Sequence, residues 1–331
     1  MEDFKISFYG GVGSATGANI CLEFGGKKIL VDAGLKQGGR KEEGENFKDF
    51  AYDPSSIDFL LVTHAHMDHI GRIPKLVGEG FQGKIISTKE TRELSLPMLE
   101  DEMRVLKQRH HKELFGMQDI QNSFSLWEGF DYHTKIKLFD GVEVEMIDAG
   151  HILGSSIIVV SLSTNTGLRK FAFTGDLGNS PSPLLKDTEI PENIDYMVME
   201  SVYGDRNHEG RESRREHLKE AIIDVQNRGG ALVIPAFSIE RTEVILYEIN
   251  NMIEDGEVSP IPVFLDSPLG LKVLQIYSRH SEDFNKSIQR EINEGDDIFD
   301  FKGLRLISNI RDSEAIKKTE GPKIIIAGSG M

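Results

Sequence analysis

Residues 63–69 read Thr63-His64-Ala65-His66-Met67-Asp68-His69, with three imidazoles and a carboxylate inside six positions. Packing gives little reason for such a cluster, whereas metal binding does. Imidazole nitrogen and carboxylate oxygen are the donors zinc takes when thiolate is absent. In extended backbone, alternate side chains point the same way, so His64 and His66 can converge on one ion. Asp68 and His69 then turn towards a neighbouring position as a helix begins. One short segment can thus supply parts of two metal sites.

Two later segments strengthen this reading. Asp148-Ala149-Gly150-His151 and Thr174-Gly175-Asp176 each follow a run of strand-forming residues. A lone His or Asp at a strand end is more often a cap or turn residue than a ligand. Both become candidate ligands because they stand at loop positions beside the first cluster. Asp32, in Val31-Asp32-Ala33-Gly34, ends another strand and is a candidate carboxylate for orienting a ligand from behind.

The elements that must position these residues are legible as runs. Lys5–Tyr9, Ala18–Phe24 and Lys27–Val31 are short and rich in strand formers, punctuated by Gly10-Gly11 and Gly25-Gly26. Ile57–Thr63 is a continuous apolar run, the mark of a strand covered on both faces. Thr88–Leu126 reads mostly as helix. Strands are expected again at Lys135–Phe139, Val142–Ile147, Ser156–Ser161, Arg169–Thr174 and Asp195–Met199. After residue 208 strands and helices alternate: helix Arg211–Arg228, strand Ala231–Ile234, helix Arg241–Glu254, strand Val263–Asp266, helix Leu269–Ser278, then strands Leu304–Ile307 and Lys323–Ala327. Alternation of this kind implies a parallel α/β sheet.

Composition sets outer bounds. The 331 residues suffice for one large domain or two ordinary ones, with 39% hydrophobic and 28% charged residues. No apolar run approaches the roughly 18 to 20 residues that span a bilayer, so no membrane is expected as a partner. Cys21 is the only cysteine, which excludes an intrachain disulfide and fits a cytoplasmic location. The net charge of −16 counts mildly against a nucleic-acid ligand, unless metal ions and a local basic groove supply the positive field.

The pattern His-x-His-x-Asp-His, followed by a lone His and a lone Asp at strand ends, resembles the ligand set of the metallo-β-lactamase superfamily. The resemblance implies that His64, His66 and His151 hold one zinc, that Asp68 and His69 hold a second, and that Asp176 bridges the two. Lactamases of the commonest type place a cysteine among the late ligands, and Cys21 is in the wrong place for that. Glu200-Ser201-Val202-Tyr203-Gly204 is similar to the acidic motif that opens the β-CASP region of RNA-processing members, with Val202 where threonine is usual. Three further segments resemble later loops of that branch: Pro235-Ala236-Phe237 with Arg241, Asp266-Ser267-Pro268-Leu269, and Gly328-Ser329-Gly330-Met331.

What the resemblance implies is an α/β protein with a metallo-β-lactamase αββα sandwich at 1–207 and an inserted β-CASP parallel α/β domain at 208–331. Its function would be hydrolysis of RNA phosphodiester bonds by a metal-bound hydroxide. Asp68, Glu200 and Asp32 are the expected catalytic carboxylates. Ser201, Arg241, Ser267, Gly328, Ser329 and Gly330 are the expected substrate contacts, and a homodimer is an expected assembly. Gly10-Gly11-Val12-Gly13-Ser14 is expected to line the site rather than to bind a dinucleotide, and His110-His111 to form a solvated face. Members of the branch continue past the glycine loop to two further histidines, so the C-terminal part is expected to be missing and the second zinc to lack a ligand, unless His208 supplies it. The rivals are a DNA nuclease of the same branch and a thioester hydrolase of the glyoxalase II type. The α/β unit after Glu200 argues against the latter.

Overall fold

Val142–Asp148 (VEVEMID) alternates apolar with charged residues, which dictates a strand with one face buried. The computed structural model describes residues 4–110, 112–207, 210, 213–236 and 239–328. In it the chain forms two compact units, one of residues up to 182 with Asp187–Val202, the other of Pro183–Lys186 with the residues from Tyr203 on.

The first unit holds two sheets. One has the order β1 (Phe4–Gly10), β2 (Asn19–Phe24), β3 (Lys27–Val31), β4 (Phe59–Leu61), β5 (Lys84–Thr88) and β6 (Trp127–Phe130). It is antiparallel from β1 to β3 and parallel from β3 to β6. The other runs β7 (Ile136–Phe139), β8 (Val142–Asp148), β9 (Ser156–Thr164), β10 (Gly167–Phe173) and β11 (Tyr196–Val198) in spatial order, with only β10 and β11 parallel. The inward faces meet in one core, where Leu22, Val31, Leu61 and Ile86 pack with Val144, Ile158, Phe171 and Phe173. Burying each such side chain contributes about 1.5–3 kcal/mol.

The connections of the parallel half cross over through helices. These are α1 (Arg40–Gly44), α2 (Met67–Ile70), α3 (Ile73–Gly78), α4 (Lys89–His110) and α5 (Met117–Ser125). Helix α4 packs on β5 and β6 and also touches α2 and α5. No helix among the described residues is long and apolar enough to cross a membrane.

The second unit contains α6 (Arg214–Arg228), β12 (Ala231–Pro235), α7 (Arg241–Glu254), β13 (Val263–Asp266), α8 (Pro268–Tyr277), α9 (Lys286–Asn293), β14 (Leu304–Leu306), α10 (Ile310–Ile316) and β15 (Lys323–Ala327). Its sheet has the order β12-β15-β13-β14, and every pair is parallel. The Ser267 hydroxyl caps α8 by accepting from Gly270 N at 3.0 Å, and Asn285 caps α9 in the same way.

Three expectations need correction. The helical stretch Thr88–Leu126 begins one residue later, because Thr88 pairs with Phe130 in the β5–β6 ladder. It also divides, since Gly116 has extended backbone and starts α5 as a separate helix. The strand over Ile57–Thr63 is shorter: Pro54–Ser56 forms a turn capped by Asp53, and Ile57 donates back to Pro54 O. Strands β5 and β6 and helices α9 and α10 lie in segments too short to show a period.

Candidate metal centre

The candidate residues of the first unit lie just beyond strand ends: Asp32 after β3, His64 to His69 after β4, His151 after β8, Asp176 after β10 and Glu200 after β11. Backbone bonds between these loops draw them together. Ala33 N donates to His69 O, Ser156 N to Thr63 O, and Gly178 N to Ala149 O. The approach at Gly34 is so close that a Cβ there would lie 1.5 Å from Asp68 O. The backbone of α2 is therefore seated directly against the end of β3.

His64, His66, His151 and Asp176 form one donor group and Asp68, His69 and Asp176 a second, each with its ligand atoms within 4.8 Å of one another. In the first, His64 Nε2 and His151 Nε2 each stand 3.1 Å from His66 Nδ1. Asp176 Oδ2 is 3.8 Å from His64 Nε2 and 3.6 Å from His151 Nε2. Zinc–ligand bonds of about 2.0–2.1 Å in a tetrahedron put ligand atoms about 3.3 Å apart, so this spacing fits an ion at the centre. The other oxygen of Asp176 faces the second group, 3.2 Å from His69 Nε2, and Asp68 Oδ2 lies 3.8 Å from that nitrogen. Asp176 thus offers one oxygen to each group.

Behind the donors lies a shell of hydrogen bonds. Asp32 takes left-handed backbone, with φ of 59°, a conformation that Asp tolerates better than most residues. Its carboxylate accepts Thr63 N and Thr63 Oγ1, both at 2.8 Å, and lies 2.7 Å from His69 Nδ1. The His151 loop is held by Ser155 Oγ, which accepts His151 N at 3.0 Å, and by Thr188 Oγ1, which donates to Ala149 O. Thr63, Ser155 and Thr188 carry this support without having stood out in the sequence. A hydroxyl directly preceding a ligand or following a ligand loop was the one available signal.

The electrostatics differ between the two groups. Burial, reinforced by the neighbouring imidazoles of His69, His66 and His151, holds His64 well below the usual histidine range and so neutral. Burial also opposes charge on His69, but Asp32, Asp176 and Asp68 outweigh it and raise the ring well above that range. Asp176 is held at about 2 by His69, His151 and His66 against the opposing effect of burial. Burial pushes the Asp68 carboxyl up. His64 and Asp176 are thus already in the forms that coordinate metals, a neutral imidazole and an ionised carboxylate. A cation at the second group would instead have to displace the proton that the carboxylates hold on His69. The donor set implies metal ions.

A cavity of about 350 Å³ lies beside the second group, lined among others by Gly11, Gly13, Ser14, His69, Asp176 and Glu200. The Glu200 carboxylate accepts Leu177 N at 3.3 Å and Val202 N at 3.1 Å, tying the loop after Asp176 to the loop after β11. Ser201 is exposed in the first unit. Arg241, Ser267 and Gly328 belong to the second, where Arg241 is exposed and a Cβ on Gly328 would lie 3.6 Å from Ser267 Oγ. Ser329, Gly330, Phe237, His111 and His208 lie outside the described residues.

Comparison with known proteins bears on the same segments. The family model of the metallo-beta-lactamase superfamily matches residues 20–236, and that of the Beta-Casp domain matches 242–331. Ribonuclease TTHA0252 of Thermus thermophilus is 33% identical over 99% of this chain and 73% of its own length. Cleavage and polyadenylation specificity factor subunit 3-I of Arabidopsis thaliana is 28% identical, over 97% of the chain and 45% of that protein. Transcription termination factor FttA of Methanocaldococcus jannaschii is 26% identical, over 99% and 52%. The chain therefore spans about half the length of the latter two. A crystal structure of a protein of unknown function from Enterococcus faecalis V583 shares the fold, with a TM-score of 0.53 at 12% identity over 98% of this chain and 77% of that one.

Proposed function

The chain belongs to the metallo-beta-lactamase superfamily and carries a Beta-Casp domain, and from that premise we propose that it is a zinc-dependent ribonuclease acting on RNA phosphodiester bonds. The observation that carries the proposal is the pair of donor groups sharing Asp176. We assign 1–207 to the catalytic metallo-β-lactamase domain and 208–331 to the β-CASP domain. His64, His66, His151 and Asp176 would hold one zinc, and Asp68, His69 and Asp176 the other. When bound, two such ions supply Lewis acidity, which makes water a nucleophile near neutral pH and offsets phosphate charge.

The protein's own groups do the rest. Asp32 orients His69 through Nδ1. Asp68, whose carboxyl is raised by burial, is the proton acceptor from the attacking water. Glu200 holds the loop that carries Asp176 through Leu177 N. In the second unit Ser267 and Gly328 border one another at the ends of β13 and β15, where loop amides and hydroxyls suit phosphate oxygens. Likeness to relatives named as ribonucleases supports RNA as the substrate.

The test offers the full-length protein single-stranded RNA, single-stranded DNA of the same sequence, nitrocefin and S-lactoylglutathione. Zinc-dependent cleavage of RNA leaving 5′-phosphate ends is expected. Faster cutting of DNA would replace RNA by DNA as substrate. Thioester turnover without nuclease activity would overturn the proposal.

A further inference from the structure

We infer that the Thr63 hydroxyl is a positioning group common to both donor groups, holding His64 and His69 in the ring form that presents Nε2 to a metal. The inference rests on the metal reading of the site and concerns a residue that is not itself a ligand.

Counting donors leads to it. A carboxylate only accepts hydrogen bonds. Asp32 Oδ1 accepts the Thr63 N–H, so Oδ2 is left facing Thr63 Oγ1 at 2.8 Å and His69 Nδ1 at 2.7 Å. Both of these must donate to it. His69 therefore carries a proton on Nδ1, so that Nε2, which faces Asp176 and Asp68, is the nitrogen left for a metal. The single hydroxyl proton of Thr63 is now committed. Its oxygen also lies 3.1 Å from His64 Nδ1, and with no proton left to give it can only accept. His64 must then be protonated on Nδ1 as well, leaving the Nε2 lone pair directed at the first group.

Burial makes this arrangement binding. His64 is 0% exposed, Thr63 1% and Asp32 2%. Water cannot readily replace a missing partner at such a place. Asn19 Nδ2 donates to Asp32 O and pins the residue. Gly175 leaves the room the hydroxyl needs, since a Cβ there would lie 2.7 Å from Thr63 Oγ1. The residue before the shared ligand Asp176 is thus fitted to Thr63. One hydroxyl joins Asp32, His64 and His69, and through them both donor groups.

The experiment compares the whole wild-type chain with Thr63→Val and Thr63→Ser, titrating zinc alone against a chromophoric chelator. Melting temperatures are recorded in excess chelator. Thr63→Val is expected to bind zinc at the His64 group about 10–100-fold more weakly, as losses of ligand-orienting partners do. Thr63→Ser, which keeps the hydroxyl, should restore wild-type affinity. A merely structural role would lower the metal-free melting temperature of Thr63→Val and leave its affinity unchanged, and that result overturns the inference. Should Thr63→Val fail to fold, imidazole ¹⁵N spectra of zinc-loaded wild type decide. Protonated Nδ1 on both His64 and His69 is expected, and an unprotonated Nδ1 on His64 refutes. Wild type that binds no zinc would sink the metal reading and this inference with it. Zinc held equally tightly by wild type and Thr63→Val would sink this inference alone.

Discussion

Removing Asp176 should loosen two metal ions at once, whereas removing a histidine of one group should loosen only one. The asymmetry follows from where the carboxylate oxygens point. Asp176 Oδ2 stands 3.6 Å and 3.8 Å from the Nε2 atoms of His151 and His64, and Oδ1 stands 3.2 Å from His69 Nε2. Zinc bound by four protein ligands is worth roughly 10–16 kcal/mol, so each ligand carries about 3–4 kcal/mol, or roughly 10²- to 10³-fold in affinity. Asp176→Ala is therefore expected to weaken both ions by factors of that order. His151→Ala should weaken the ion held with His64 and His66 by a similar factor and spare the other. His69→Ala should do the reverse. The two ions should also differ in wild type, since the first group has four protein donors and the second three among the described residues. Competition with chelators of graded strength, followed by elemental analysis, resolves the two steps. Loss of a single ion in Asp176→Ala, or of both in His151→Ala, would refute the geometry.

Other perturbations test other parts of the molecule. Gly34→Ala should destroy metal binding and lower the melting temperature steeply, because its Cβ would occupy the position of Asp68 O and only backbone movement can relieve the clash. Retention of both metals by that variant would show that the β3 end does not seat α2. Glu243 in α7 is fully buried, no side chain among the described residues hydrogen-bonds its carboxylate, and burial pushes its carboxyl up to about 8 even though the backbone N–H groups of Glu243 and Glu240 pull the other way. The folded chain thus holds the proton more tightly than the unfolded one, so this contribution to stability is complete below about pH 4.5 and disappears as pH rises to about 8. At pH 7 the cost is about 3 kcal/mol, so Glu243→Gln should stabilise the fold there and flatten its stability between those limits, as denaturant titrations at several pH values would read. An unchanged pH profile would show that Glu243 is not a buried acid.

The residue types of the candidate donors, and the strands that end beside them, could be read from the sequence because both are local properties. A run such as Val142–Asp148 shows its buried face by alternation, and His64 to His69 show their chemistry by side-chain type within one loop. The parallel character of the second unit's sheet was legible for the same reason, since strands and helices alternate regularly there. Short elements such as β6 and α10 were not legible, because a few residues do not complete a period. What only the tertiary structure decided is the arrangement around the donors. Thr63 meets Asp32 across 31 positions of chain, and His66 meets His151 across 85. Which nitrogen of each ring faces its donor group, and which oxygen of Asp176 faces which group, depends on these meetings. A ligand's type is a property of its own side chain, but its direction is imposed by partners that folding brings from distant strands.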